Sequence, residues 1–248
     1  MADRCRLAGS EGWPIRRPHV PSTRLTERLA RVLPTGFRAF VAARRDSHRA
    51  FVGPPGAFDV SGASVFNLLT LLGLREDHAV LDVGCGGLRA GRLLIVYLQP
   101  DRYFGIEPEA WLVDAAVRRE LGSELVRAKR PTFHHGADFR LTVFGRRFDF
   151  ILAASVFSHA ALAQIARCLE EARAVLAPDG WFVASFVEGP DDYEGATWRY
   201  PETVRYRLAT IERLAAAHGL ACEPVGWPYR YGDDTQTWVA FWRRGKAG

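Results

Sequence analysis

An acidic residue and a cluster of glycines follow one short apolar run in this chain, and their spacing could hold a nucleotide-bearing cofactor. The run at 79–83 leads directly into Gly84-Cys-Gly-Gly87. Because glycine has no side chain, Gly84 and Gly86 let a ligand approach the backbone of the loop. The helix predicted at 88–98 presents unpaired N–H groups to the ligand at its start. The expected cofactor contacts in the loop are Gly84, Cys85 and Gly86.

Asp82, two residues before the first glycine, indicates which cofactor the loop takes. A dinucleotide brings an anionic pyrophosphate, whereas S-adenosylmethionine (SAM) carries a sulfonium and an ammonium, so a carboxylate here favours SAM. An NAD(P)-dependent oxidoreductase is the alternative, but the last glycine of its G-x-G-x-x-G fingerprint would be Arg89. Arg89 could meet the carboxylate of the cofactor, or it could be a solvated helix residue.

The segment Val80-Leu-Asp-Val-Gly-Cys-Gly86 resembles motif I of the class I SAM-dependent methyltransferases, and residues 60–244 are similar to that family in the order of their elements. The resemblance implies a SAM cofactor and methyltransferase activity. Leu88 stands where the family usually has a third glycine, while glycines are found at 87 and 91. We therefore expect a variant turn, followed by a glycine on the helix.

The resemblance also implies roles for residues that follow the next three strands, because ligands of open α/β sheets lie at the carboxyl ends of the strands. Glu107 would accept both ribose hydroxyls, or alternatively would cap the helix after Pro108. Asp138 would accept a hydrogen bond from the adenine amino group with Phe139 beside the ring, or would cap a turn. Ala154 would contact the methionine portion of the cofactor.

His159, at the end of the predicted fourth strand, is the candidate catalytic residue. Methyl transfer from a sulfonium is an in-line displacement on an activated carbon, so alignment and exclusion of water are the main requirements. A base is needed only for a protonated nucleophile, and an imidazole suits that task. The alternative is a histidine that orders the loop at a helix N-terminus.

Strands and helices alternate along the chain, which indicates a parallel sheet covered on both faces. We predict an α/β fold with a Rossmann-like, seven-stranded, mostly parallel sheet, an antiparallel last strand, helices on both faces and an N-terminal helical extension. The predicted strands lie at 79–83, 102–106, 131–134, 148–154, 180–187, 221–228 and 236–243. The predicted helices of this domain lie at 61–73, 88–98, 108–121, 158–176 and 201–218.

Three parts of the chain differ in composition. Residues 1–20 lack apolar periodicity and are predicted to be a disordered basic N-terminus, residues 21–60 a helical arm or lid, and residues 61–248 the methyltransferase domain. Eleven Arg against four acidic residues give residues 1–49 a charge of +7, within a net charge of +5. Aromatic residues are not interleaved there, and Arg outnumbers Lys 31 to 2, which argues for a compositional bias and against a nucleic-acid partner. The sequence leaves open whether the protein forms a homodimer.

Several motifs of other methyltransferases are missing, which narrows the range of possible acceptors. Ala153-Ala-Ser-Val156 stands where enzymes that methylate amino groups of adenine, cytosine or glutamine have a characteristic tetrapeptide. The chain also lacks the Pro-Cys pair used to methylate cytosine carbon and, after the fourth strand, the Asp/Asn cluster expected of a magnesium-dependent enzyme. Four scattered cysteines and the lack of an apolar span or leader predict a cytoplasmic protein without metal or membrane partner.

The prediction is therefore methylation of an oxygen, or secondarily a nitrogen, of a small metabolite in natural-product tailoring. A SAM-binding protein without transferase activity remains a further alternative. The acceptor pocket is expected from the arm and from the loops at 188–200 and 226–234, which are rich in aromatic residues, Gly and Asp.

Overall fold

The part of the chain that the computed structural model describes, residues 48–231 and 234–245, alternates strands and helices. Its strands are β1 (Val80–Val83), β2 (Tyr103–Ile106), β3 (Thr132–His134), β4 (Phe148–Ala153), β5 (Leu176–Glu188), β6 (Arg205–Tyr206), β7 (Leu220–Val225), β8 (Arg230–Tyr231) and β9 (Asp234–Arg243). Its α-helices are α1 (His48–Phe51), α2 (Phe58–Leu71), α3 (Gly91–Tyr97), α4 (Ala110–Ala116), α5 (Ser123–Lys129), α6 (Leu162–Val175) and α7 (Leu208–Ala217). The prediction of a disordered N-terminus over residues 1–20 lies outside the described residues, as does the part of the predicted helical arm at 21–47.

Seven of these strands follow one another in a sheet in the order β3-β2-β1-β4-β5-β9-β7, while β6 pairs with β5 and β8 pairs with β9. The pairs from β3 to β5 are parallel, whereas β9 is antiparallel to both β5 and β7. The predicted antiparallel last strand is thus confirmed, and it lies between β5 and β7. The short connection from β7 to β9 explains this, because a parallel pair would need a crossover of a dozen or more residues.

Both faces of the sheet are covered, as predicted. Val80 of β1 belongs to a buried cluster with Leu68 of α2 and Leu94 of α3. Its neighbour Leu81 belongs to a second cluster with Ile165 of α6. Because successive side chains of a strand point to opposite faces, a central strand with helices on both sides is shielded from solvent on both faces, and all four residues of β1, including Asp82, are buried.

Several boundaries differ from the sequence prediction for physical reasons. The helix after the glycine loop begins at Gly91 instead of 88, because Leu88 adopts a left-handed φ of 57° that an α-helix cannot contain. The helix predicted at 108–121 is α4 followed by a π-helical turn, which ends at Gly122 with φ 76°. Helix α5 after it was not predicted.

The second half of the chain also differs at its element ends. The helix predicted at 201–218 begins only at Leu208, because the two residues of β6 pair with the end of β5. Strand β5 begins at Leu176, before a register shift opposite β4. The boundary differences do not affect the central strands. Strands β1, β2 and β4 are parallel, so their carboxyl ends lie at one edge of the sheet, where the candidate site is found.

Candidate active site

The loop after β1 turns on residues with left-handed backbone conformations. Gly84 has φ 68° and Gly86 has φ 55°. A Cβ atom on Gly84 would lie 2.7 Å from Cγ2 of Val156, and one on Gly86 would lie 2.8 Å from Cγ1 of Val52. Neither position can carry a side chain in this structure, so the loop brings its bare backbone to the cavity.

Leu88 takes over the conformation that a third glycine would allow. Its backbone has φ 57°, its N–H donates to the carbonyl of Cys85 over 3.0 Å, and its side chain is fully buried. Gly91 then starts α3, where an added Cβ would collide with the hydroxyl of Tyr103. The variant turn expected from the sequence is therefore present, with a buried leucine in place of glycine and the helix displaced by three residues.

Asp82 is buried at the base of the loop. It is 3% exposed, and its Oδ2 accepts a hydrogen bond of 2.8 Å from the Tyr103 hydroxyl. Burial raises the pKa of Asp82 from 3.8 to about 7, although the hydrogen bond from Tyr103 and the charge of Arg89 act in the opposite direction. A cation bound in the cavity would favour the ionised form of this carboxylate.

Glu107, directly after β2, is fixed by two backbone groups. Its Oε2 accepts the N–H of Gly86 over 2.9 Å, and its Oε1 accepts the N–H of Glu109 over 3.0 Å. Burial raises its pKa above the ordinary value. The carboxylate is thereby tied to the glycine loop, and each oxygen keeps a further lone pair for a ligand hydroxyl.

The turn after β3 contributes only part of what the sequence predicted. Phe139, with φ 56°, and Ala137 line the cavity. Asp138 is exposed and is not among the lining residues, and its Oδ1 accepts the N–H of Arg140 over 3.2 Å. The structure therefore gives Asp138 the turn-capping contact that was the alternative to adenine binding.

Arg89 and Cys85 both lie at the cavity wall. The Nη1 atom of Arg89 donates to the carbonyl of Val52 over 3.1 Å, which ties the glycine turn to the chain just after α1. Cys85 is buried, and burial raises the pKa of its thiol well above the usual range. A thiol in that state is a packing residue and not a nucleophile.

His159 is held by the loop between β5 and β6. Its Nδ1 lies 2.8 Å from the carbonyl oxygen of Glu202 and 3.1 Å from that of Arg199. Carbonyls only accept hydrogen bonds, so Nδ1 carries the proton and a neutral ring has its lone pair on Nε2. The hydrogen bonds among the described residues leave Nε2 unused, and His159 lines the cavity.

A cavity of about 590 Å³ unites these residues. The predicted site residues that line it are Asp82, Gly84, Cys85, Gly86, Arg89, Glu107, Phe139, Ala154 and His159, so Asp138 is the exception. Its other lining residues include Phe51, Val52, Ser155, Trp198 and Tyr200. None of these five residues was predicted individually as a site residue. The sequence analysis did expect the arm and the loop at 188–200 to form part of the acceptor pocket. Ser155 has a left-handed backbone conformation with φ 58°, which no pattern in the sequence predicts.

The second predicted acceptor loop, at 226–234, does not reach the cavity with any of its described side chains. Trp227 donates to the hydroxyl of Ser64 over 2.9 Å, and Tyr229 is buried against Trp238. Within residues 48–231 and 234–245, no group of three His, Cys, Asp or Glu could hold a metal ion. The helices of the same residues include none that is long and apolar enough to cross a membrane.

Comparison with known proteins agrees with this geometry. Residues 81–182 match the family described as a methyltransferase domain. A magnesium protoporphyrin IX methyltransferase from Synechocystis PCC 6803 with bound SAM is similar over 84% of this chain and 91% of that chain, with 16% identity and a TM-score of 0.59. A glycopeptide N-methyltransferase complexed with SAM is similar over 74% and 94%, with 14% identity and a TM-score of 0.57. The CcbJ methyltransferase from Streptomyces caelestis is similar over 77% and 97%, with 17% identity and a TM-score of 0.55.

The strand order, the inserted antiparallel strand and the glycine loop define a Rossmann-like methyltransferase fold. The family match over residues 81–182 shows a methyltransferase domain with this fold, and the similar structures include methyltransferases with bound SAM. The site fits this cofactor, because the bare glycine backbone, the fixed Glu107 and the buried Asp82 face one cavity. The match and the strand order favour this class over the NAD(P)-dependent oxidoreductase alternative.

Proposed function

We propose that the protein methylates a hydroxyl oxygen of a small metabolite, with His159 as the general base. The observation that carries the proposal is the pair of backbone carbonyls at Nδ1 of His159. They fix the tautomer in which Nε2 is the basic nitrogen, at the wall of the cavity that the glycine loop also lines. A hydroxyl acceptor has a proton to lose, so it needs such a base.

The cofactor end of the cavity is built to bind and orient. Glu107 would accept the ribose hydroxyls, and Asp82 would offset the positive charge of the methionine portion near Ala154. SAM supplies an activated methyl group on a sulfonium, so the chain itself needs no further electrophile. Arg89 would lie near the carboxylate of the cofactor, and Phe139 beside its adenine.

The acceptor end is shaped by His159 and the chain that covers it. The backbone of Ser158 and His159 is joined to the covering loop by hydrogen bonds from the N–H of Val204 over 2.7 Å and of Arg199 over 2.8 Å. These bonds hold the imidazole in place and keep water from that wall of the cavity. When Nε2 accepts the hydroxyl proton, the carbonyls at Nδ1 stabilise the resulting positive charge.

Natural-product tailoring is the setting we propose. It is supported by the aromatic residues around the cavity and by the glycopeptide N-methyltransferase among the similar structures. A nitrogen acceptor is the second candidate, and the name of that protein is the observation that favours it. The cytoplasmic location inferred from the sequence stays a prediction.

The test is the variant His159→Ala, compared with His218→Ala at the end of α7. We expect His159→Ala to bind SAM almost as the wild type does and to lose a factor of about 10² to 10⁴ in turnover, because a positioned general base contributes that much. Transfer of labelled methyl from SAM to a panel of hydroxyl and amine metabolites measures turnover, and calorimetry measures binding.

Near-normal turnover of a hydroxyl acceptor by His159→Ala would show that alignment alone carries the reaction. Transfer only to amines would favour the second candidate. SAM binding without transfer to any member of the panel would favour a binding protein without transferase activity.

A further inference from the structure

Four aromatic side chains gather at the mouth of the cavity with large exposed surfaces. They are Phe51, Trp111, Trp198 and Tyr200, and each is 38–42% exposed. The other large hydrophobic side chains that are exposed in the described residues, Val60, Leu71 and Val96, lie on helices α2 and α3. We call the four aromatic residues the aromatic rim. A cluster of exposed aromatic side chains often marks a binding site, whereas apolar side chains that are exposed singly are normal on protein surfaces.

The rim is drawn from three separate parts of the chain, and three of its rings contact one another directly. Phe51 of α1 stacks on Tyr200 at 5.4 Å between ring centroids and meets the edge of Trp111 of α4 at 5.3 Å. The hydroxyl of Tyr200 donates to the carbonyl of Phe51. Trp111 is held in turn by Glu109, whose Oε2 accepts its indole N–H over 2.9 Å. The rings are therefore positioned although they face solvent.

The rim is continuous with the proposed base. The ring of His159 lies 5.6 Å from Trp198 and 5.0 Å from Tyr200. Phe51, Trp198 and Tyr200 line the same cavity as the glycine loop. A molecule that places a hydroxyl at Nε2 of His159 therefore brings the atoms next to that hydroxyl within reach of these rings.

We infer that the acceptor carries its hydroxyl on a planar aromatic ring, which binds against the aromatic rim. This inference rests on the proposed function and names the substrate class of the same site. Flat π-surfaces gain from offset-stacked and edge-to-face contacts beyond the area they bury, by about two- to tenfold in affinity for each ring pair. A saturated ring or an aliphatic alcohol of the same size lacks that gain.

The strength of the base leads to the same class. An aromatic hydroxyl such as the tyrosine side chain loses its proton with a pKa of about 10, whereas the pKa of water, the nearest reference for an alkyl hydroxyl, is far higher. A neutral imidazole can deprotonate the first during reaction far more readily than the second. The hydroxyl proton moves to Nε2 of His159 while the oxygen forms its bond to the methyl carbon. The carbon–sulfur bond breaks with its electron pair remaining on sulfur, and the proton later passes to solvent.

The test uses acceptor pairs with the same carbon skeleton that differ in aromaticity and therefore also in hydroxyl acidity, namely phenol against cyclohexanol and 2-naphthol against decahydro-2-naphthol. We expect the wild type to methylate the aromatic member of each pair at least tenfold more efficiently in kcat/KM. Trp198→Leu should raise KM for 2-naphthol about tenfold with kcat largely kept, and Trp198→Phe should restore most of the loss. Val96→Ala, which removes exposed apolar surface elsewhere, should change neither constant.

Equal efficiency on the saturated and aromatic partners, or an unchanged KM in Trp198→Leu, would overturn the inference. If no hydroxyl is methylated at all, the proposed function fails, and binding of 2-naphthol to the protein loaded with S-adenosylhomocysteine becomes the measurement. Saturable binding that weakens in Trp198→Leu would still support an aromatic ligand at the rim. Absence of binding, or a dimer that dissociates in Trp111→Glu and covers the rim, would refute it.

Discussion

At the residue scale, the paired side chains of Asp82 and Tyr103 under the glycine loop should make the affinity for the cationic cofactor depend on pH. Asp82 and Tyr103 are both buried, and a hydrogen bond of 2.8 Å joins them. The folded chain holds the proton of Asp82 to a pKa of about 7, far above its ordinary 3.8. Asp82 therefore makes the folded state less stable as the pH rises from about 4 to about 7. A bound cation opposes that effect, because it attracts the ionised carboxylate.

We predict that SAM affinity rises with pH through about 7 in the wild type and that Asp82→Asn removes most of this rise. Tyr103→Phe should move the rise to higher pH, because it takes away the hydrogen bond that favours the ionised carboxylate. Calorimetric titration with SAM at a series of pH values measures both effects. Asp101→Asn, at the exposed start of β2, is the matched control. An identical pH dependence in Asp82→Asn and the wild type would contradict the assignment.

At the element scale, α1 is fastened over the glycine loop by an ion pair with the end of the π-helical turn. Glu120 accepts from Nε of Arg49 over 2.7 Å and from Nη2 over 2.6 Å, and it lies 2.7 Å from Nε2 of His48. A Cβ on Gly87 would lie 2.7 Å from the carbonyl oxygen of His48. Of the arm expected at 21–60, the structure describes residues 48–60, and Phe51 and Val52 among them line the cavity.

Glu120→Ala should weaken SAM binding several-fold and lower acceptor turnover, because it releases α1 and leaves the buried His48 without this partner. Glu124→Ala removes an exposed carboxylate paired with Arg127 only three residues away on α5 and should have little effect. Calorimetry and labelled methyl transfer measure the two quantities. Wild-type values for Glu120→Ala would show that the fastening of α1 is not needed for binding or catalysis.

At the scale of the whole molecule, the inserted strand β9 carries a large part of the core. Trp238 on this strand is fully buried and meets Tyr229 at 5.1 Å between ring centroids. Its indole N–H is buried without a hydrogen-bond partner in the part of the chain that the structure describes. The strand therefore gains from the volume of this side chain and loses from its unsatisfied donor.

Trp238→Ala should lower the free energy of unfolding by about 3–5 kcal/mol, because it leaves a large cavity in the core. Trp238→Phe should cost much less, since the loss of volume is partly offset by removal of the unsatisfied N–H. Urea unfolding gives both values. Trp242→Ala, at a half-buried position of the same strand, should cost less than Trp238→Ala. A loss for Trp238→Phe as large as that for Trp238→Ala would refute this account.

The sequence by itself determined the features that depend on local pattern. The apolar run, Asp82 and the glycines predicted the cofactor loop, and the alternation of strands and helices predicted the sheet with its antiparallel last strand. Glu107 and Phe139 were predicted from their place after a strand, and both line the cavity. Such features follow from backbone sterics and from the period of apolar residues, which involve only near neighbours in the chain.

Only the tertiary structure decided which side chains meet at the cavity. Nothing near His159 in the sequence shows that the carbonyls of Arg199 and Glu202 fix its tautomer, or that Phe51 stacks on Tyr200 about 150 residues away. Asp138 fits the family pattern yet turns to a backbone N–H beside it, because a local hydrogen bond needs no ordering of distant groups. Contacts between distant segments depend on how the packed elements bring them together, and that information is distributed over the whole chain.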